Sequence, residues 1–368
     1  MIAPTPFFAD RGAHTQILEE ALALQKRGHE IKICTYGLGR DVPGVQTVRC
    51  WVPKRYKKLA AGPSYTKILL LPVLLARSAK EVKAFHPDLV HAHLHEGAII
   101  ARILRLRYQK IPAIFDLQGS LSGECLQHGF VAAGGLRYRT LRWIERRILQ
   151  WFPIITQSGQ MVAEAEAIAK RTLNITNVLD GVDVDKFCPR PPDTELVSQT
   201  AISLEHPRVL YMGVFAEYQG VDLLLLSFTK VIERVPDAQL LLIGYPNELK
   251  YREVAARLGI ISNCYFFGRV DYSEVPRYLS LATVAIAPKI ADTEGDGKIY
   301  NYMAMGLPIV AFDRAVSREI LGDAALFAEN KSVEDLADKI IEALTDPDLA
   351  EKLGRLARNR AVEALTWN

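Results

Sequence analysis

The sequence lacks most of the features that would take a chain out of the ordinary globular class. Its five cysteines (Cys34, Cys50, Cys125, Cys188 and Cys264) are odd in number, scattered, and never spaced as CxxC. That argues against a disulfide framework or a zinc knuckle and fits a reducing compartment. No apolar run is long enough to cross a bilayer, since the strongest, ILLLPVLLA at 68–76, is short and interrupted by Pro72. The opening MIAPTPFFADRG has no basic stretch followed by an apolar core, so it does not read as a signal peptide. No G-x-G-x-x-G follows a strand-like run, which disfavours a Rossmann dehydrogenase. Internal repeats and low-complexity tracts are also missing. A cytoplasmic chain, at most peripheral on the inner face of the cell membrane, is the expectation.

What is present reads as two domains. At 368 residues the chain exceeds one ordinary hydrophobic core, and 49% hydrophobic with 24% charged residues is a normal globular balance. The net charge of +3 conceals an asymmetry. Residues 1–189 hold 26 Lys and Arg against 16 Asp and Glu, a formal +10, while the remainder hold 19 against 26, a formal −7. Either the two halves face different partners or their surfaces simply drift in charge.

Strand-like runs at 30–36, 87–93, 111–117, 208–213, 238–244 and 284–288 alternate with helical patterns such as 13–28, 134–151, 219–235 and 332–345. Such alternation predicts an α/β fold of parallel sheets covered by helices on both faces. The stretch 187–207 holds four prolines and a polar middle, so it is expected as a linker between domains at 1–186 and 208–368. Two doubly wound sheets joined this way should face each other across a cleft and bind ligands at the strand C-termini.

Two loops carry candidate chemistry. Gly12 precedes a helix with apolar residues at Ile17, Leu18, Ala21, Leu22 and Leu24. A glycine there lets backbone N–H groups approach a phosphate, or is simply a turn. The stretch ADTEGDGKIYNYMAMGLPIVAFD at 291–313 predicts a loop, a helix from near Lys298, a stop at Gly306 and a buried strand. A lysine in the first turn opposes the helix dipole unless an anion balances it, so a phosphate is expected near Gly295, Asp296 and Gly297. Asn301, one turn on, could bond a ribose hydroxyl. In the simpler alternative both are surface residues.

The pieces RGAHTQILEEALALQKRGHEIKI, PDLVHAHLHEG, NVLDGVDVDKFCP, VLYMGVFAEYQGVDLLLLSF, AQLLLIGYP, CYFFGRVDYSEVPRYLSLATVAIAP and KIYNYMAMGLPIVAFD together resemble glycosyltransferase family 4, in order and over nearly the whole chain. The resemblance implies a GT-B fold, with two Rossmann-like doubly wound domains facing an interdomain cleft. It implies a retaining, metal-independent hexosyltransferase that takes a sugar from a nucleotide-diphosphate sugar and needs no cofactor. The donor would bind the C-terminal domain, and a glycan or lipid-linked acceptor the N-terminal one, in glycan biosynthesis at the cell envelope. In that family the donor's own phosphate oxygen takes the acceptor proton, so catalysis rests on electrostatic complementarity at the phosphate. Family members continue into a helix that crosses back to the first domain, and on that pattern both chain ends look slightly short.

Carried over by residue, the resemblance departs from the family at several positions. The diphosphate-binding Arg and Lys fall on Val214 and Gln219, and the second glutamate of the E-x7-E signature on Asn301, with six residues between it and Glu294. The N-terminal-domain histidine falls on Gln118. The expected donor site is therefore Arg11, Gly12, Gly213, Gln219, Arg269, Val270, Gly295, Asp296, Gly297, Lys298 and Asn301. Gln118, Glu294 and Lys298 stand closest to the chemistry. Lys298→Ala is expected to remove nucleotide binding at nearly constant melting temperature. His93 and His95, within HAHLHE, are expected on the acceptor side. They could also be packing residues or, with His91, zinc ligands. The Asp183-x-Asp185 pair imitates a metal motif but lies where the resemblance assigns structure. The segment 53–85, four cations and a tyrosine followed by an apolar helix, could meet an anionic membrane surface. No nucleic-acid partner is implied. The alternatives are a degenerate homologue that binds without turnover and a nucleotide-sugar epimerase.

Overall fold

A computed structural model describes residues 1–9, 12–54, 65–109, 111–127, 129–291 and 295–367. They fall into two compact units, Met1–Ala9 with Ala13–Leu179, and Asp180–Asp292 with Asp296–Asn368. The division lies ahead of the expected 187–207 linker, which belongs to the second unit. Side chains explain why: Arg277 holds Asp193 at 2.6 Å and Glu195 at 2.7 Å. Gln239 also exchanges two hydrogen bonds with the backbone of Ser203. The prolines end the periodicity without detaching the segment.

The first unit is a seven-stranded sheet in the order β3-β2-β1-β4-β5-β6-β7. Its strands are β1 (Ile2–Ala3), β2 (Lys32–Thr35), β3 (Gln46–Arg49), β4 (Val90–His93), β5 (Ala113–Leu117), β6 (Ile154–Thr156) and β7 (Ile175–Asn177). The second unit is a six-stranded sheet in the order β10-β9-β8-β11-β12-β13. It comprises β8 (Arg208–Met212), β9 (Gln239–Ile243), β10 (Cys264–Gly268), β11 (Val284–Ala287), β12 (Ile309–Phe312) and β13 (Leu326–Ala328). Every pairing is parallel. Each sheet reverses its winding beside its first strand, between β1 and β4 and between β8 and β11. Open α/β sheets form ligand crevices at such reversals.

Burial follows the apolar periodicity. In the helix Val221–Arg234, Val221, Leu224, Leu225, Phe228 and Val231 are fully buried, the i, i+3, i+4, i+7 stripe of a helix packed on a sheet. The glycine before it is obligatory: Gly220 has φ +73°, and a Cβ there would stand 1.8 Å from the Pro288 carbonyl oxygen after β11. The Ile290 N–H crosses the same gap to the Tyr218 carbonyl at 3.1 Å. The helix Gly297–Ala304 stops as predicted at Gly306 (φ +68°), whose N–H bonds Met303 while the Leu307 N–H bonds Tyr302. This pairing satisfies the last carbonyls and turns the chain into β12.

Candidate active site

Three strand ends and one helix assemble a buried charged cluster in the second unit. Asp296 stands at the N-cap of the helix Gly297–Ala304 but caps no backbone N–H. Instead its Oδ1 accepts from the Lys298 ammonium at 2.6 Å, and the same ammonium donates to Gln219 Oε1 at 2.8 Å. All three side chains are buried. The lysine stem lies against the backbone after β8, where a Cβ on Gly213 would meet Lys298 Cε at 2.9 Å. Tyr302, from the same helix, fixes the register by accepting the Met212 N–H at 2.8 Å. The anion expected to balance Lys298 is thus supplied by the chain itself.

Two further cations complete the cluster. Lys289 follows β11 and Arg314 follows β12; both are buried, and both act electrostatically on Asp296 and Lys298. Arg314 also donates to the Ala291 carbonyl. Burial pushes the Asp296 carboxyl up, but Lys298, Lys289 and Arg314 together outweigh it and hold the carboxyl below its ordinary value. Burial lowers Lys298, and the other two cations reinforce that against the pull of Asp296. Among the described residues, three cations act on the Asp296 carboxylate. The Asp296 Oδ2 is buried and accepts no hydrogen bond among the described residues.

The structure brings together Gly213, Gln219, Asp296, Gly297, Lys298 and Asn301, the last buried on the same helix. Gly295 is half-buried just before it. Arg269 and the half-buried Val270 follow the edge strand β10, with the Arg269 guanidinium 5.5 Å from the Tyr245 ring. Gly12 begins the helix Gly12–Lys26 and is exposed. Arg11 and Glu294 lie outside the described residues. Sequence reasoning missed Lys289 and Arg314; a cation directly after a buried parallel strand was the available signal. The expectation that Lys298→Ala leaves stability untouched is revised by burial, because the change strands a buried carboxylate and a buried carbonyl.

The first unit holds a second polar centre. His93 Nδ1 lies 2.7 Å from Asp116 Oδ2, which also accepts from Gln118 Nε2 at 2.9 Å, and Gln157 donates to Oδ1 at 3.0 Å. His91 stacks on His93 with centroids 4.3 Å apart and sets its Nδ1 3.1 Å from Glu20. Burial, then the neighbouring His93, keeps His91 well below the usual histidine range, so it is neutral. Glu20, His91, His93 and Asp116 each offer one donor atom within 4.8 Å of the others, enough to consider a metal. Asp116 already accepts three hydrogen bonds, while His91 Nε2 and His93 Nε2 are buried without a partner among the described residues. His95 is buried separately beside Glu145 at 3.6 Å. The three histidines therefore point into the unit. Gln118 presents a buried Oε1 without a partner among the described residues. Asp183 spends Oδ1 on the backbone N–H groups of Asp185 and Lys186, a local turn.

Comparison with known proteins matches residues 193–360 to the model of glycosyl transferases group 1 and residues 11–172 to that of a glycosyl transferase 4-like domain. A phosphatidyl-myo-inositol mannosyltransferase from Mycobacterium tuberculosis is 25% identical over 389 residues, covering 100% of this chain and 93% of that protein. A GDP-mannose-dependent monoacylated alpha-(1-6)-phosphatidylinositol monomannoside mannosyltransferase from Corynebacterium glutamicum is 27% identical over 198 residues, 51% of either chain. The match therefore spans about half the length of that relative. Among solved structures, a sucrose-phosphate synthase from Thermosynechococcus elongatus superposes with a TM-score of 0.79 at 20% identity, covering 100% of this chain and 94% of that one.

Proposed function

Given that the chain belongs to the group 1 glycosyltransferases and has their GT-B fold, we propose that it moves a sugar, with retention, from a nucleotide-diphosphate sugar to a glycan or lipid-linked acceptor. The carrying observation is the gathering of three buried cations at the C-terminal ends of β8, β11 and β12. A diphosphate leaving group develops negative charge as the sugar departs. Lys289, Lys298 and Arg314 would meet that charge in a setting that water screens poorly, so no metal or other cofactor is required for it.

The neutral Val214 and Gln219 lose their force as signs of degeneracy. The family's lysine position is filled by Gln219, yet the Lys298 ammonium sits 2.8 Å from its carboxamide oxygen. The charge is retained and its source has moved. Asn301 would bond the ribose, and Asp296 Oδ2 would accept from a sugar hydroxyl. Gln118 cannot act as acid or base, which disfavours epimerisation. The GDP-mannose dependence in the name of the Corynebacterium relative supports a nucleotide-sugar donor. The phosphatidylinositol-type acceptors in the relatives' names support a lipid-linked acceptor.

A thermal-shift panel of UDP, GDP, ADP, dTDP and CMP, with and without magnesium, tests this reading. A ligand at a hundred times its dissociation constant adds about 2.7 kcal/mol of stability. One responder, unaffected by magnesium, is expected. Silence from all five favours binding without turnover, and a strict magnesium requirement overturns metal independence.

A further inference from the structure

The helix Leu136–Ile148 turns its acid inward with Ile148 and leaves two large apolar side chains outward. Its one acidic residue, Glu145, is buried and accepts the N–H groups of Leu121 at 2.8 Å and Ser122 at 3.1 Å. On the opposite side Leu136 is 81% and Trp143 58% exposed. With Thr140 and Arg147 they stand at i, i+4, i+7 and i+11, a single stripe along the helix. Arg137 and Arg139 are exposed beside it, and the Arg147 guanidinium lies 5.4 Å from the Trp143 ring. The remaining arginines are spent elsewhere: Arg142 donates to Ser122 Oγ and Arg146 to the Ala169 carbonyl.

The neighbouring helix Leu94–Arg107, packed directly against this one, repeats the pattern. Ile103 and Leu106 are exposed there, Leu106 by 67%, flanked by exposed Arg102 and Arg107. Its one acid, Glu96, sits in the first turn and pairs with Lys67. A lone exposed leucine is normal on any protein. Apolar stripes on two packed helices, bordered only by arginine, are the composition of a surface that enters an anionic lipid interface.

We propose that the outer faces of the helices Leu94–Arg107 and Leu136–Ile148 dock the first unit on an anionic lipid bilayer. Charge complementarity selects this occupant: the exposed charges are all cationic, and residues 1–189 carry a formal +10. The side chains between them, an indole and three aliphatics, match the headgroup boundary, where tryptophan concentrates. This surface is separate from 53–85, most of whose basic stretch lies outside the described residues. The docking stands on these side chains alone. That it brings the donor site to a lipid-linked acceptor rests on the reading above.

Co-sedimentation of the full chain with vesicles tests the proposal, using phosphatidylcholine alone and phosphatidylcholine mixed equally with phosphatidylglycerol. Binding is expected only to the anionic vesicles and should fall with added salt. Arg139→Gln and Arg147→Gln should each weaken it about five-fold, and Trp143→Ser by about ten-fold or more. Equal binding to both vesicle types, none to either, or variants that bind like wild type would overturn the proposal. So would a concentration-dependent dimer that the same variants abolish, since a second copy would then cover the face. The nucleotide panel on the same samples separates the two readings. Lost vesicle binding with an intact nucleotide response sinks only the docking, and the reverse result sinks only the donor assignment.

Discussion

In the first sheet β4 ends on His93; in the second, the topologically equivalent β11 runs into Pro288 and Lys289. Each position sits beside a winding reversal, and each anchors a buried polar centre. In the first, two carboxylates face two histidines, and Asp116 accepts three hydrogen bonds from neutral donors and ring nitrogen. In the second, among the described residues, three cations act on Asp296, whose Oδ2 accepts no hydrogen bond. The same topology has thus been filled in two ways, one around two histidines and two carboxylates and one around three buried cations. The gathering of cations is what suits the second to an anionic ligand.

Lys298→Ala should produce the largest effect. It leaves Asp296 and Gln219 stranded, so a loss of about 3–5 kcal/mol is expected in urea melts, with the nucleotide response gone. The double change Asp296→Asn with Lys298→Met should recover most of that stability and none of the response. A Lys298→Ala variant that melts like wild type would dissolve the distinction between the centres. A smaller loss, about 1–3 kcal/mol, is expected for Asp116→Ala, which strands the donors of His93, Gln118 and Gln157. Here the response to a nucleotide without sugar should survive; its disappearance would mean the first centre is not self-contained.

The smallest effect concerns pH. The Asp296 carboxyl titrates below its unfolded value near about 3.9, so its ionised form contributes stability that is complete above about pH 4. That contribution is lost as pH falls through the lower, folded value. The stability gap between wild type and Asp296→Asn should therefore close in acid, as followed by chemical melts. A gap that widens in acid would reverse the sign and place Asp296 outside the influence of the cations.

Much of the architecture was legible because its strands are long apolar runs: Val209–Tyr211 and Leu240–Ile243 are buried on both faces and read as such. The strands β1, β6, β7 and β13 are two or three residues long, too short for any period to register. Their existence is decided by pairing with neighbours far away in sequence. At the site, Lys298 was legible because a first-turn lysine conflicts with the helix dipole. Asp296 was expected at the donor site, but its pairing with that lysine was not legible, because only the fold turns its side chain from the backbone to the ammonium. Lys289 and Arg314 were not singled out; their place just after the buried strands β11 and β12 was the one local sign, and it does not reveal burial by itself. The Pro-rich 187–207 stretch resembled a tether for a similar reason, as its hold on Arg277 spans more than eighty positions.

The contact between Gly220 and Pro288 has a consequence for how this region opens. With 1.8 Å left for a Cβ, the loops after β8 and β11 touch backbone to backbone, and no side chain lies between them to yield. The Ile290 amide is shielded by a carbonyl of the opposite loop. Its hydrogen exchange therefore requires both loops to part, so amides in the two segments should exchange with a common opening free energy. The segments that carry Gln219 and Lys289 form a single foldon, assembled from residues some seventy positions apart.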